Sequence, residues 1–191
     1  HFFPLLGAAS LIGAVLVLIN RRLSPEEIKV ILDDTTPRIM IYEHVQQDLV
    51  NTVIDQRSSV RTRIVLGQSK SGEMTYADLL QAGLAYPALV PAHAPYVIIH
   101  TAAVQGRPRG AVLSQENLLL ASLQLAYVFH LTSQDACLNV LPLYHIMGLN
   151  LALAASLGRG KNVLMPQFDP AQAAQLMADH KTTFFGSFPP I

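Results

Sequence analysis

Ten consecutive residues, Thr101-Ala102-Ala103-Val104-Gln105-Gly106-Arg107-Pro108-Arg109-Gly110, combine the residue types from which an anion site can be built. Gly106 and Gly110 allow positive φ or close backbone approach, Pro108 fixes φ and removes a donor, and Arg107 and Arg109 add permanent positive charge. Successive backbone N–H groups in such a loop form a concavity for a polyanion, and a guanidinium can clamp phosphate oxygens through two parallel hydrogen bonds. The same residues also suit a hairpin turn with solvated arginines, and the stretch alone leaves both readings open.

A second stretch, Leu138-Asn139-Val140-Leu141-Pro142-Leu143-Tyr144-His145-Ile146-Met147-Gly148, sets an aromatic residue and an imidazole in a proline-started loop after an apolar run. His145 there reads either as a ligand-facing group or as a core imidazole with its hydrogen bonds satisfied. The seven histidines show no paired metal-ligand spacing, so no structural zinc is expected. The single cysteine, Cys137, rules out an internal disulfide framework, fits a reducing compartment and suits a small apolar position in a buried strand.

Taken together, the two stretches resemble the adenylate-forming enzymes, the family of acyl-CoA synthetases, luciferases and peptide-synthetase adenylation domains. The family's phosphate loop reads T-S-G-T-T-G-x-P-K-G and is followed by a short strand and S-H-x-N-L. Here Thr101 to Gly110 and then Leu113-Ser114-Gln115-Glu116-Asn117-Leu118 stand in those places. The family's L-P-L-[FY]-H-x-x-G matches Leu141 to Gly148 without a mismatch. Gly13 to Ile28 resembles the segment near the start of the family's large domain, and Phe184 to Pro190 its T-xxGVPP segment. The loop departs from the pattern: Ala102, Ala103, Val104 and Gln105 replace Ser, Gly, Thr and Thr, Arg109 replaces lysine, and Gln115 replaces histidine. Most hydroxyl donors are thus gone, whereas backbone donors do not depend on side chains and Arg109 keeps the charge.

The resemblance implies a mainly parallel α/β fold and residues 1–191 as part of a large N-terminal AMP-binding domain, with subregions 1–90 and 91–191. It further implies that the small C-terminal domain with the catalytic lysine is absent. A two-step reaction follows: a carboxylic acid attacks the α-phosphate of ATP to give an acyl-adenylate and pyrophosphate, and a thiol, usually of coenzyme A (CoA), then takes the acyl group. In that scheme Thr101, Ala102, Ala103, Val104, Gln105, Gly106, Arg107, Arg109 and Gly110 bind ATP phosphates with magnesium (Mg2+). Tyr144, His145 and Gly148 line the carboxylate pocket, and no catalytic residue lies in the fragment itself. The expected acid is a fatty acid and the expected setting cytoplasmic. A non-catalytic nucleotide- or acyl-binding relative is the alternative that the Ala-Ala-Val-Gln replacement raises.

Composition bounds the rest. Charged residues make up 14% and apolar ones 51%, against about 25% and 45–50% in ordinary soluble domains. Exposed apolar surface and self-association of the fragment are therefore expected. Lys plus Arg equal Asp plus Glu at 13 each, so no basic face argues for nucleic acid. Phe2 to Asn20 carries no charge and is long enough to raise a membrane span, but Pro4, Gly7 and Gly13 divide it into a helix and a β-branched strand, Ala14 to Ile19.

The elements that must carry the two stretches alternate. Ser24-Pro25-Glu26-Glu27 is a capped helix start leading to Ile28, Ile31 and Leu32, and Pro37 stops that helix. Strands are expected at 38–42 and 63–66, with a helix through Val45, Leu49, Val50 and Val53 between them. Lys70 to Glu73 reads as a turn, Thr75 to Leu84 as a short helix capped by Thr75, and Tyr86 to Pro95 as an extended link. Tyr96 to His100 delivers the first stretch, with His100 read as a strand-end residue. A helix from Ser114 or Gln115 to about His130, a strand at 136–141 and a loop at 142–148 carry the second. Beyond it lie an apolar helix at 149–157, a strand at 163–165, a helix from Asp169 to His180 and a strand at 182–185. Such alternation is the pattern of βαβ units on a parallel sheet.

Overall fold

The uncharged run at the start folds as the sequence punctuation requires: Phe2–Ile12 is helix α1, ended by Gly13, and Leu16–Leu18 is strand β1. The computed structural model describes residues 1–56, 58–69, 72–83, 86–101 and 108–187. No helix among the described residues is long and apolar enough to cross a membrane. The chain forms two compact units, His1–Val112 and Leu113–Ile191.

In the first unit Pro25–Thr35 is α2, and its start is the expected capping box. The Ser24 hydroxyl accepts from Glu27 N at 3.3 Å, and the Glu27 carboxylate accepts from Ser24 N at 2.8 Å. Strand β2 (Ile39–Glu43), a 3-10 turn (His44–Gln46) and α3 (Gln47–Val53) follow, then β3 (Thr62–Leu66). Ile28 and Leu32 of α2 meet Val53 of α3 in one apolar cluster, and Tyr42, Val50 and Val65 form another. Strand β4 (Met74–Thr75) pairs in parallel with β3, Ile64 opposite Met74, where the sequence suggested only the approach to a helix cap. Thr75 then caps α4 (Tyr76–Gln81) in a second capping box, with Asp78.

Pro95–Thr101 is β5, parallel to β1 with Leu16 opposite Val97 and Leu18 opposite Ile99, and β6 (Arg109–Ser114) lies on its other side. Tyr96, Val97 and Ile99 are buried, so the strand is anchored in apolar surroundings nearly up to Thr101, where the first stretch begins. The Tyr96 hydroxyl donates to Leu6 O at 2.6 Å, which ties β5 to α1, and burial pushes its pKa up to about 12.

The second unit is built on α5 (Gln115–Val128), β7 (Ala136–Asn139), α6 (Ile146–Leu157), β8 (Lys161–Leu164), α7 (Pro170–His180) and β9 (Phe184–Gly186). Strand β7 is buried throughout and sits between β8 and β9, parallel to both. Cys137 is buried in it, as expected, and burial pushes its thiol up to about 11. Helix α6 is apolar on all sides and buries Leu149, Leu151, Ala152, Ala154 and Ala155. It begins at Ile146, so residues 146–148, expected in a loop, form its first turn. Gly148 marks a close backbone approach there instead of a loop end. The parallel α/β character read from the sequence is therefore what the chain adopts, distributed over three three-stranded sheets.

Candidate functional site

Each of the two stretches is held by its own unit. In the first unit β5 ends at an exposed Thr101 and β6 begins at an exposed Arg109. The Thr101 hydroxyl reaches Arg109 O at 3.4 Å, a long side-chain contact between the ends of two neighbouring strands. The Arg109 guanidinium has no ionic partner among the described residues. Ala102, Ala103, Val104, Gln105, Gly106 and Arg107, the remaining expected phosphate contacts, lie outside the described residues.

Gly110 is required by what lies beneath it. A Cβ there would fall 2.8 Å from Ile98 Cγ2 and 3.0 Å from His100 Nε2. The His100 side chain is only 4% exposed, and its Nε2 is 3.4 Å from Asp34 Oδ2 at the end of α2. His100 is thus a covered residue under the stem, consistent with the reading that made it a strand-end group and no catalyst.

In the second unit the motif closes on Asn139, which sequence reasoning passed over. Its side chain is 2% exposed; Nδ2 donates to Gly148 O at 2.8 Å and Oδ1 accepts from Leu141 N at 3.1 Å. One buried amide therefore fixes both ends of the turn that carries Tyr144 and His145. Gly148 completes the closure, since a Cβ would collide with the Pro142 carbonyl oxygen and lie 2.8 Å from Leu141 O. The signal available in the sequence was a polar residue ending an apolar strand three positions before a proline.

His145 stands at the N-cap of α6, its N–H donating to Pro142 O at 3.0 Å and its O accepting from Leu149 N at 3.0 Å. The side chain is exposed, which excludes the satisfied core imidazole that the sequence had left open. Tyr144 is half-buried, and its ring centroid lies 4.8 Å from that of His145. Directly after them a groove of about 310 Å³ runs between α5 and α6, lined by residues that include Leu125, Val128, Phe129, Ile146, Met147 and Asn150.

Comparison with known proteins gives this geometry a context. The family model described as AMP-binding enzyme matches residues 1–191. A long-chain-fatty-acid–CoA ligase of Thermus thermophilus is 31% identical over 183 residues, covering 94% of this chain and 34% of that protein. An indoleacetate–CoA ligase of Aromatoleum aromaticum is 30% identical over 166 residues, covering 85% and 32%. A crystal structure from Rhodopseudomonas palustris CGA009, provisionally assigned as a long-chain-fatty-acid CoA ligase, superimposes with a TM-score of 0.90 at 37% identity, covering 99% of this chain and 48% of that one. The chain spans about a third of the length of these curated relatives.

Proposed function

The chain belongs to the AMP-binding enzyme family, and from that premise we propose that the intact protein is an ATP-dependent acid–thiol ligase. It activates a carboxylic acid, a fatty acid first, as the acyl-adenylate and passes the acyl group to CoA. The observation that carries the reading is the stem of the phosphate loop: a largely buried strand ends at Thr101, and an exposed Arg109, without an ionic partner among the described residues, returns beside it.

The chemical need in the first step is to hold a carboxylate against a polyanion and to stabilise the departing pyrophosphate. Positive charge fixed in advance does this without reorganisation at the moment of reaction. Arg109 supplies such charge with a planar fork suited to phosphate oxygens, and Thr101 retains a hydroxyl donor at the edge of the loop. Arg107, Gly106 and the backbone of 102–105 complete the phosphate contacts in this reading. Magnesium arrives bound to the nucleotide in this reading.

Tyr144 and His145 border the carboxylate end of the acid. The apolar groove between α5 and α6 supports an extended hydrocarbon tail, as do the names of the T. thermophilus and R. palustris proteins. A cytoplasmic setting is part of the proposal, supported by ATP and CoA as substrates and by a lone, buried thiol. Alone, the chain self-associates through exposed apolar residues such as Leu119, Leu120, Leu123, Val128 and Phe129, and does not turn over.

A non-catalytic binding relative is the second reading, favoured by one observation, the Ala102-Ala103-Val104-Gln105 replacement. Mass-spectrometric detection of CoA thioesters, with the intact protein, MgATP and a panel of fatty, aryl and amino acids, separates the two. Thioesters of one acid class name the substrate, and none from a folded protein returns the second reading.

A further inference from the structure

Three elements of the first unit meet at one imidazole at the base of the phosphate-loop stem. His100 precedes Thr101 on β5, Gly110 of β6 passes 3.0 Å above its Nε2 by the position a Cβ would take, and Asp34 of α2 faces the same nitrogen at 3.4 Å. With the proton on Nε2, that nitrogen donates to Asp34, and Nδ1 is a buried acceptor without a hydrogen-bond partner among the described residues. Among those residues the ring thus has one polar tether, and its orientation depends on Asp34. Ile98 and His100 lie on the same face of β5, so together they set how near Gly110 comes to the strand.

We propose that His100, oriented by Asp34, is a positioning residue that sets the separation of Thr101 and Arg109 and so the fit of the stem to nucleotide phosphates. This rests on the reading that the stem receives ATP. The imidazole does not touch the nucleotide; it acts through the height of Gly110 and through the residue next to it in the strand. Positioning errors of about 1 Å can cost a hundredfold in rate, so loss of the ring is the large effect. The tether to Asp34, whose side chain is 59% exposed, is worth little, as exposed pairs are.

The test is steady-state CoA-thioester formation by the intact protein with MgATP varied and acid and CoA saturating. His100→Ala raises KM for ATP about tenfold, with KM for the acid unchanged. Asp34→Ala raises it about threefold, and Asp34→Asn, which keeps a carbonyl acceptor, recovers most of that loss. His100→Phe fills the space without the tether, so it matches Asp34→Ala, and the two changes combined cost no more than either alone. Circular dichroism of the His100→Phe and Asp34→Asn proteins separates misfolding from misplacement. Unchanged KM for ATP in His100→Ala, or His100→Phe equal to the unaltered protein, overturns the proposal. No ATP-dependent turnover by the unaltered, folded protein sinks the ligase reading itself, and this one with it.

Discussion

The turn from Asn139 to Gly148 and the stem between Thr101 and Arg109 hold their side chains in opposite ways. The turn is closed by two short hydrogen bonds to a buried amide and by a glycine pressed against two backbone carbonyls. The stem is a pair of hydrogen-bonded neighbouring strands whose ends, Thr101 and Arg109, meet through a 3.4 Å side-chain contact, and it rests on an imidazole tethered, among the described residues, at one nitrogen. Where backbone meets backbone, the residue types are dictated, and there the chain matches the family motif without a mismatch. At the stem the supporting contacts lie in the strands, and the motif has drifted between them.

The contrast is broken most forcefully at Gly148. Gly148→Ala sets a methyl against the Pro142 carbonyl, which cannot move aside without opening the turn. The expected loss is about 3 kcal/mol, read as faster hydrogen exchange in peptides covering 136–157. Asn139→Ala leaves Leu141 N buried without its acceptor and takes a donor from Gly148 O, at a cost of about 2 kcal/mol, in the same peptides. Gly110→Ala presses on the ends of two side chains, Ile98 and His100, which can give way. It costs about 1 kcal/mol and raises KM for ATP, and a cost equal to that of Gly148→Ala would erase the distinction between the two regions.

The smallest effect sharpens the second unit. Hydrogen bonds from the Thr183 hydroxyl and from the Thr132 N–H and hydroxyl hold the Asp135 carboxyl below the usual carboxylate range. Because the folded value is the lower one, this contribution is present above the ordinary carboxylate value, about pH 4, and is lost as pH falls through the folded value. Asp135→Asn therefore flattens the acid limb of an unfolding-midpoint profile and leaves neutral pH nearly unchanged.

Much of the fold was legible because its signals are local. Ser24 with Glu27, Thr75 before α4 and Asp169-Pro170 each cap a helix with atoms three residues away. What escaped is non-local. Strand β4 exists only because Ile64 is there to pair with Met74. Gly148 read as a loop residue because the carbonyls it must avoid belong to Leu141 and Pro142, folded back across the turn. Asn139 looked like the polar end of an apolar strand, and its two backbone partners appear only once α6 is in place. His100 gained its partner from a residue 66 positions earlier. The identity of the loop residues was plain in the sequence, whereas the exposure of Arg109, without an ionic partner among the described residues, needed the folded chain.

ATP–pyrophosphate exchange by the intact protein tests the central claim most directly, since it requires the first chemical step and nothing after it. With MgATP, labelled pyrophosphate and a fatty acid, label enters ATP only when the acid is present, which means the intact protein adenylates the acid without the loop hydroxyls that Ala102 to Gln105 replace. A folded protein that exchanges no label with any fatty, aryl or amino acid contradicts the account and makes this chain part of a binding protein.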